Sequence, residues 1–136
     1  MKCLIVEDDA TSCKLLRVYM SVYGRCFESP NGLLAVEAVR QALEDDTPFD
    51  VILLDIMMPD MDGHQTLKEI RQLEKECNLD PSRAAKVIMV TALGDAENIM
   101  LSFRNGANGF IIKPVRDDAL DKEMAKLGLA PVESPH

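Results

Sequence analysis

The chain has 136 residues, 47% of them hydrophobic, and carries 23 acidic against 15 basic side chains, a formal net charge of −8. That length makes one domain, with a core large enough to fold without a disulfide or metal staple, and the acidic balance excludes direct binding to a nucleic-acid backbone, which needs a basic footprint. No apolar run approaches the roughly 20 residues that cross a bilayer, and Met1-Lys2 leads into a short strand and not a secretory leader, which places the chain in the cytoplasm with no membrane partner.

Lys2 to Val6 is a short apolar run, a strand that ends on Glu7, Asp8 and Asp9. From Ala10 to Tyr23, the residues Cys13, Leu16, Met20 and Tyr23 recur at three- and four-residue spacing, which predicts an amphipathic helix capped by Asp8 or Asp9. Residues 24–29 predict a weaker strand at a sheet edge, since polar residues interrupt it. Pro30-Asn31-Gly32 turns the chain into a helix over about 33–43, with Leu33, Val36, Val39 or Arg40, and Leu43 in step.

Val51 to Leu54 is an uninterrupted aliphatic run that stops at Asp55, followed by a loop broken by Pro59 and by the Asp62-Gly63 turn signal. Asp62 with Gln65 has the form of a capping box, which starts a helix running to about Cys77 through Leu67, Ile70 and Leu73. Val87 to Val90 is the next strand, stopping at Thr91. A helix from Gly94-Asp95 passes Ile99 and Phe103 and closes at Asn105-Gly106 as a left-handed cap. Gly109 to Ile112 is the last strand, stopping at Lys113-Pro114, and 115–127 the last helix. Pro131 and Pro135 mark a short frayed tail, so the domain is 1–127, with 128–136 a tail or the start of a linker.

Five strands alternating with five helices over short connections predict an α/β, doubly wound fold, its five-stranded parallel sheet covered on both faces. The four cysteines show no Cys-x-x-Cys spacing and fall within predicted elements, so they are expected to be reduced and structural. His64 and His136 stand alone, as surface residues with no assigned role.

In an open parallel sheet, ligands bind beyond the carboxyl ends of the strands. Here those ends are Glu7, Asp8 and Asp9, then Asp55, Thr91 and Lys113. Two carboxylates about 4 Å apart repel by roughly 4 kcal/mol at an effective dielectric of 20, so such a cluster calls for a bound cation or for protonation. Oxygen-only donors without histidine or thiolate select a hard ion such as Mg²⁺. A metal, an amine and a hydroxyl around one more carboxylate is what phosphoryl transfer onto Asp55 needs.

Val6-Glu7-Asp8-Asp9, the run from Leu53 to Gly63, Val90-Thr91-Ala92 and Lys113-Pro114 together resemble the signature set of response-regulator receiver domains of two-component signalling, over about residues 2–126. The resemblance implies strand order 2-1-3-4-5 and an Asp55 that accepts phosphate from a phosphohistidine on a sensor histidine kinase or a histidine phosphotransfer protein. It implies that Asp8 ligates Mg²⁺ directly, that Glu7 acts largely through water, and that Asp55 and the Met57 backbone carbonyl complete the ligands; Asp9 falls outside the set. Thr91 and Lys113 would bind the phosphoryl oxygens, and the Lys113-Pro114 bond would be cis.

The resemblance also implies a switch in which Thr91 moves with its loop and an aromatic residue on the last strand turns inward. That residue is Phe110 here, for which ordinary core packing is the equal alternative. Output to a downstream protein would use the face of the fourth helix, fifth strand and fifth helix, about 95–126, and a phosphorylation-dependent homodimer is allowed. Met57 and Leu93 offer no polar group to orient an attacking water, so slow phosphoryl loss is expected.

Three other readings compete. A haloacid-dehalogenase-type phosphatase needs a second aspartate where Met57 stands. A flavodoxin-like or dinucleotide module needs a phosphate-binding loop where Glu7 to Asp9 would repel one. A receiver-shaped interaction module without phosphorylation would have no need of Asp55, Asp8, Thr91 and Lys113 together.

Overall fold

The computed structural model describes residues 1–132; the tail reading at 133–136 lies outside them. The elements are β1 (Lys2–Val6), α1 (Ala10–Met20), β2 (Arg25–Ser29), α2 (Gly32–Glu44), β3 (Val51–Leu54), α3 (Gly63–Glu76), a single 3-10 turn (Pro81–Arg83), β4 (Lys86–Thr91), α4 (Ala96–Arg104), β5 (Gly109–Ile112) and α5 (Asp117–Lys126). All strand pairs are parallel and the order is β2-β1-β3-β4-β5, the doubly wound α/β sheet expected from the alternation of strands and helices.

Alternate residues of each strand enter opposite faces. Leu4, Val6, Ile52, Leu54, Val87 and Met89 pack with α2 and α3, while Cys3, Ile5, Val51, Leu53, Ile88 and Val90 pack with α1 and α5. The central strand β3 is buried at every position, which is why its four aliphatic residues run without a polar interruption.

Several local expectations are corrected. α1 ends at Met20, not Tyr23, although Tyr23 is buried and its hydroxyl bonds Asp121 of α5. α2 turns Gly32, Ala35, Val36, Val39 and Ala42 inward at three- and four-residue spacing, and Leu33 and Leu34 fall outside that stripe and are exposed. Only half of the capping box forms: the Asp62 carboxylate accepts from Gln65 N–H, but the Gln65 amide turns to Glu69. Asp62-Gly63 is a close approach and no positive-φ turn: a Cβ on Gly63 would lie 2.3 Å from the Asp55 carbonyl oxygen. Cys77 is exposed just past α3, and Cys26 is half-buried. Leu129 packs on the α1 side of the core and Val132 N–H donates to the Val22 carbonyl, so residues 128–132 fold back instead of fraying.

Candidate functional site

The parallel register sets which strand ends meet. Val6 pairs with Leu54, so Glu7 and Asp55 leave the sheet side by side, and Asp55 N–H donates to the Val6 carbonyl at 3.1 Å. Thr91 pairs with Ile112, so Lys113 follows next to Thr91, with its N–H on the Thr91 carbonyl at 2.8 Å. The Lys113-Pro114 bond is cis, as anticipated.

Side chains then converge. Lys113 Nζ donates to Glu7 Oε2 at 2.8 Å and to Asp55 Oδ2 at 3.0 Å. Asp55 Oδ1 accepts from Met57 N–H at 3.1 Å, and Glu7 Oε1 accepts from Asp9 N–H at 3.2 Å. One carboxylate oxygen from each of Glu7, Asp8 and Asp55 lies within 4.8 Å of the others. Glu7 and Asp55 are buried, at 4% and 5% exposure, while Asp8 is open to solvent.

Charge does not balance here. Three carboxylates face one ammonium, and two of the three are nearly out of water. Burial pushes the Glu7 carboxyl above its ordinary value; the Lys113 hydrogen bond works against that shift and the Asp55 charge adds to it. Burial alone would lower the Lys113 ammonium, but its bonds to Glu7 and Asp55 outweigh burial and raise it. An all-oxygen donor set with surplus negative charge fits a hard divalent cation, and nothing in it fits a soft one.

Thr91 is fully buried, and its Oγ1 accepts from Leu93 N–H at 3.3 Å. Among the described residues it makes no hydrogen bond to Asp55 or to the Lys113 ammonium, so it stands at the site's edge with its hydroxyl turned to its own loop. A groove of about 370 Å³ opens above, lined by Asp8, Met57, Pro59, Asp62 and Leu93 among others. Asp9 is the α1 N-cap, accepting from Ser12 N–H and Oγ, which explains its place outside the acidic cluster. Phe110 is half-buried, packed partly on the core and partly in a groove with Ile99, Phe103 and Ile112.

A family model described as the response regulator receiver domain matches residues 3–125. The chain belongs to that family. It is 33% identical over 124 residues to the transcriptional regulatory protein ZraR of Klebsiella oxytoca, covering 90% of this chain and 25% of that protein. It is 35% identical over 114 residues to the transcriptional regulatory protein ResD of Bacillus subtilis, covering 83% and 42%. This receiver domain thus spans well under half the length of those curated relatives. The solved CheX-CheY-BeF3-Mg complex from Borrelia burgdorferi superposes with a TM-score of 0.79 at 26% identity, over 96% of this chain and 90% of that one. The family assignment disfavours the phosphatase alternative, and Met57, where a phosphatase would hold its acid, is 58% exposed.

Sequence reasoning missed two features of the receiver. His64 is not a surface residue: it is 8% exposed and its Nε2 meets Asn98 Oδ1 at 2.8 Å. Arg71 reaches from α3 to the carbonyls of Gly106 and Ala85 and to Glu74. The Arg71–Glu74 pair is local to α3, but the His64–Asn98 bond and the reach of Arg71 to Ala85 and Gly106 span 14 to 35 residues, separations no local pattern reports. No helix among the described residues is long and apolar enough to cross a membrane.

Proposed function

We propose that Asp55 is the phospho-acceptor of this receiver, taking its phosphoryl group from a phosphohistidine on a sensor kinase or histidine phosphotransfer protein. An Asp55 carboxylate oxygen forms the bond to phosphorus as the phosphorus–nitrogen bond of the donor breaks and the imidazole leaves. The single observation that carries this reading is the buried, undercompensated cluster of Glu7, Asp8 and Asp55 around the Lys113 ammonium.

Glu7, Asp8, Asp55 and the Met57 carbonyl would hold Mg²⁺, with Glu7 acting largely through water. When bound, that ion supplies positive charge against the incoming phosphoryl oxygens. The residues of the chain do the rest. Lys113 already sits on Asp55 and can shift its bonds to a phosphoryl oxygen, and Met57 N–H fixes the Asp55 carboxylate plane. Thr91 supplies a hydroxyl once it leaves Leu93 N–H, and its movement draws the loop from Ala92 to Gly94 toward the site.

Output through the α4, β5 and α5 face rests on its exposed apolar side chains Met100, Phe103 and Ile112, beside the half-buried Phe110. The binding partner there is a downstream protein, and phosphorylation-dependent pairing of two copies would use the same face. The domain serves as a signalling switch and turns over no substrate. Incubation with acetyl phosphate and Mg²⁺, followed by intact-mass measurement, tests the reading. One added phosphoryl group, absent in Asp55→Ala and in EDTA, is expected; no mass gain, or a gain that persists in Asp55→Ala, overturns it.

A further inference from the structure

α4 is loosely held. Ser102 is its one buried residue among the described ones, against seven on α3, and a cavity of about 500 Å³ lined by His64, Lys68, Leu101 and Asn105, among others, opens between the two helices. Two polar ties cross that gap, one at each end. At the C-terminal end, Arg71 Nε and Nη2 both donate to the Gly106 carbonyl, at 3.1 and 2.8 Å, while Nη1 reaches the Ala85 carbonyl. That tie is multiple and acts as a pivot. At the N-terminal end there is one bond among the described residues, from His64 to Asn98.

The proton in that bond can be placed. Asn98 Nδ2 donates to Asp95 Oδ1 at 2.7 Å, which leaves Asn98 Oδ1 to accept. His64 therefore carries its proton on Nε2, and its buried Nδ1 has no partner among the described residues. An imidazole with one orphaned nitrogen is a costly choice for a buried position that leucine could fill. Among the described residues, the bond to Asn98 is the one polar contact the ring makes in return.

What lies at either end of the bond gives it consequence. His64 follows Gly63, which is seated against the Asp55 carbonyl and bonds the Ile56 carbonyl at 2.9 Å, so this end is fixed to the phosphorylation loop. Asn98 lies in the first turn of α4, directly after the Thr91 to Gly94 loop that must move when Thr91 turns to Asp55.

We propose that the His64–Asn98 hydrogen bond is a latch that holds the N-terminal end of α4 in its unphosphorylated position, so that His64 sets how readily Asp55 accepts a phosphoryl group. This rests on the reading that Asp55 is the acceptor and Thr91 the mover. His64 touches no reacting atom and is a positioning residue; releasing it lets α4 swing about the Arg71 pivot.

The test is titration with beryllofluoride in the presence of Mg²⁺, followed by calorimetry, on the wild type and on His64→Leu, His64→Gln, Asn98→Ala and the His64→Leu/Asn98→Ala double variant. Each of His64→Leu and Asn98→Ala is expected to bind beryllofluoride about three- to tenfold more tightly, the worth of one buried hydrogen bond. The double variant should bind no tighter than either single one. His64→Gln, whose terminal amide nitrogen reaches about where Nε2 lies, should match the wild type. Unchanged or weaker affinity in the single variants, additive effects in the double, or lowered stability with no change in affinity would overturn the latch. A wild type that does not bind beryllofluoride would overturn the phosphorylation reading itself, a failure distinct from that of the latch.

Discussion

Replacing Asp55 by asparagine should make the metal-free protein more stable. Asp55 Oδ2 lies 3.0 Å from Lys113 Nζ, an attraction of about 5.5 kcal/mol at an effective dielectric of 20. Against it stand Glu7 and Asp8, each with an oxygen within 4.8 Å, repelling by about 3.5 kcal/mol apiece, with solvent screening trimming the share of the exposed Asp8. Withdrawal of the Asp55 charge from water adds a further penalty of several kcal/mol. Asparagine keeps an oxygen for Met57 N–H and leaves Lys113 to Glu7, so the charge is shed and the main bonds survive. The net gain is about 1–3 kcal/mol, read as a higher urea midpoint at pH 7.5 in EDTA with unchanged slope. Mg²⁺ at ten times its dissociation constant should then stabilise the wild type by about 1.4 kcal/mol and the variant far less. A metal-free Asp55→Asn protein that unfolds at lower urea than the wild type would refute the claim that this carboxylate is kept at the expense of stability.

Arg71→Met removes the guanidinium from Glu74, which is 7% exposed, and frees the Gly106 and Ala85 carbonyls; a loss of about 3–5 kcal/mol in urea unfolding is expected, and a loss under about 1 kcal/mol would contradict it. Cys26 is half-buried beside Cys3, its register partner on β1, and that neighbour lowers its thiol below the ordinary range, so iodoacetamide should alkylate it with a midpoint below that of an ordinary thiol. In Cys3→Ala the midpoint should move up toward that of an ordinary thiol, and mass spectrometry showing no shift would sink the assignment. Met57→Asn, which places an amide beside the groove over Asp55, should shorten the phosphoryl lifetime several-fold; equal decay in both proteins would end that proposal.

The sheet was legible because its strands are short, uninterrupted apolar runs. Val51 to Leu54 is buried at all four positions, so no polar residue interrupts it, and the carboxylate that follows stands out. The same logic located Glu7, Asp8, Thr91 and Lys113, since parallel strands place their ends on one edge whatever their separation in sequence. Helix detail was less legible where several apolar residues compete for the inward stripe or where a helix packs loosely. Leu33 and Leu34 look like core residues and are exposed, whereas Ile99 and Phe103 keep helical spacing on a helix that buries only Ser102. His64 escaped because its partner is Asn98, 34 residues on and on another helix, and nothing in the neighbourhood of a single histidine announces that. Thr91 was found, but the direction of its hydroxyl, toward Leu93 N–H, is a matter of loop geometry that no residue pattern encodes.

A crystal structure of the beryllofluoride complex with Mg²⁺ would put the whole arrangement to its most direct test. The account predicts beryllium on an Asp55 carboxylate oxygen, the metal on Asp8, Asp55 and the Met57 carbonyl, and both Lys113 Nζ and Thr91 Oγ1 within hydrogen-bond reach of fluorine. Beryllofluoride bound elsewhere, or Thr91 still held by Leu93 N–H while Lys113 stays on Glu7, would contradict it.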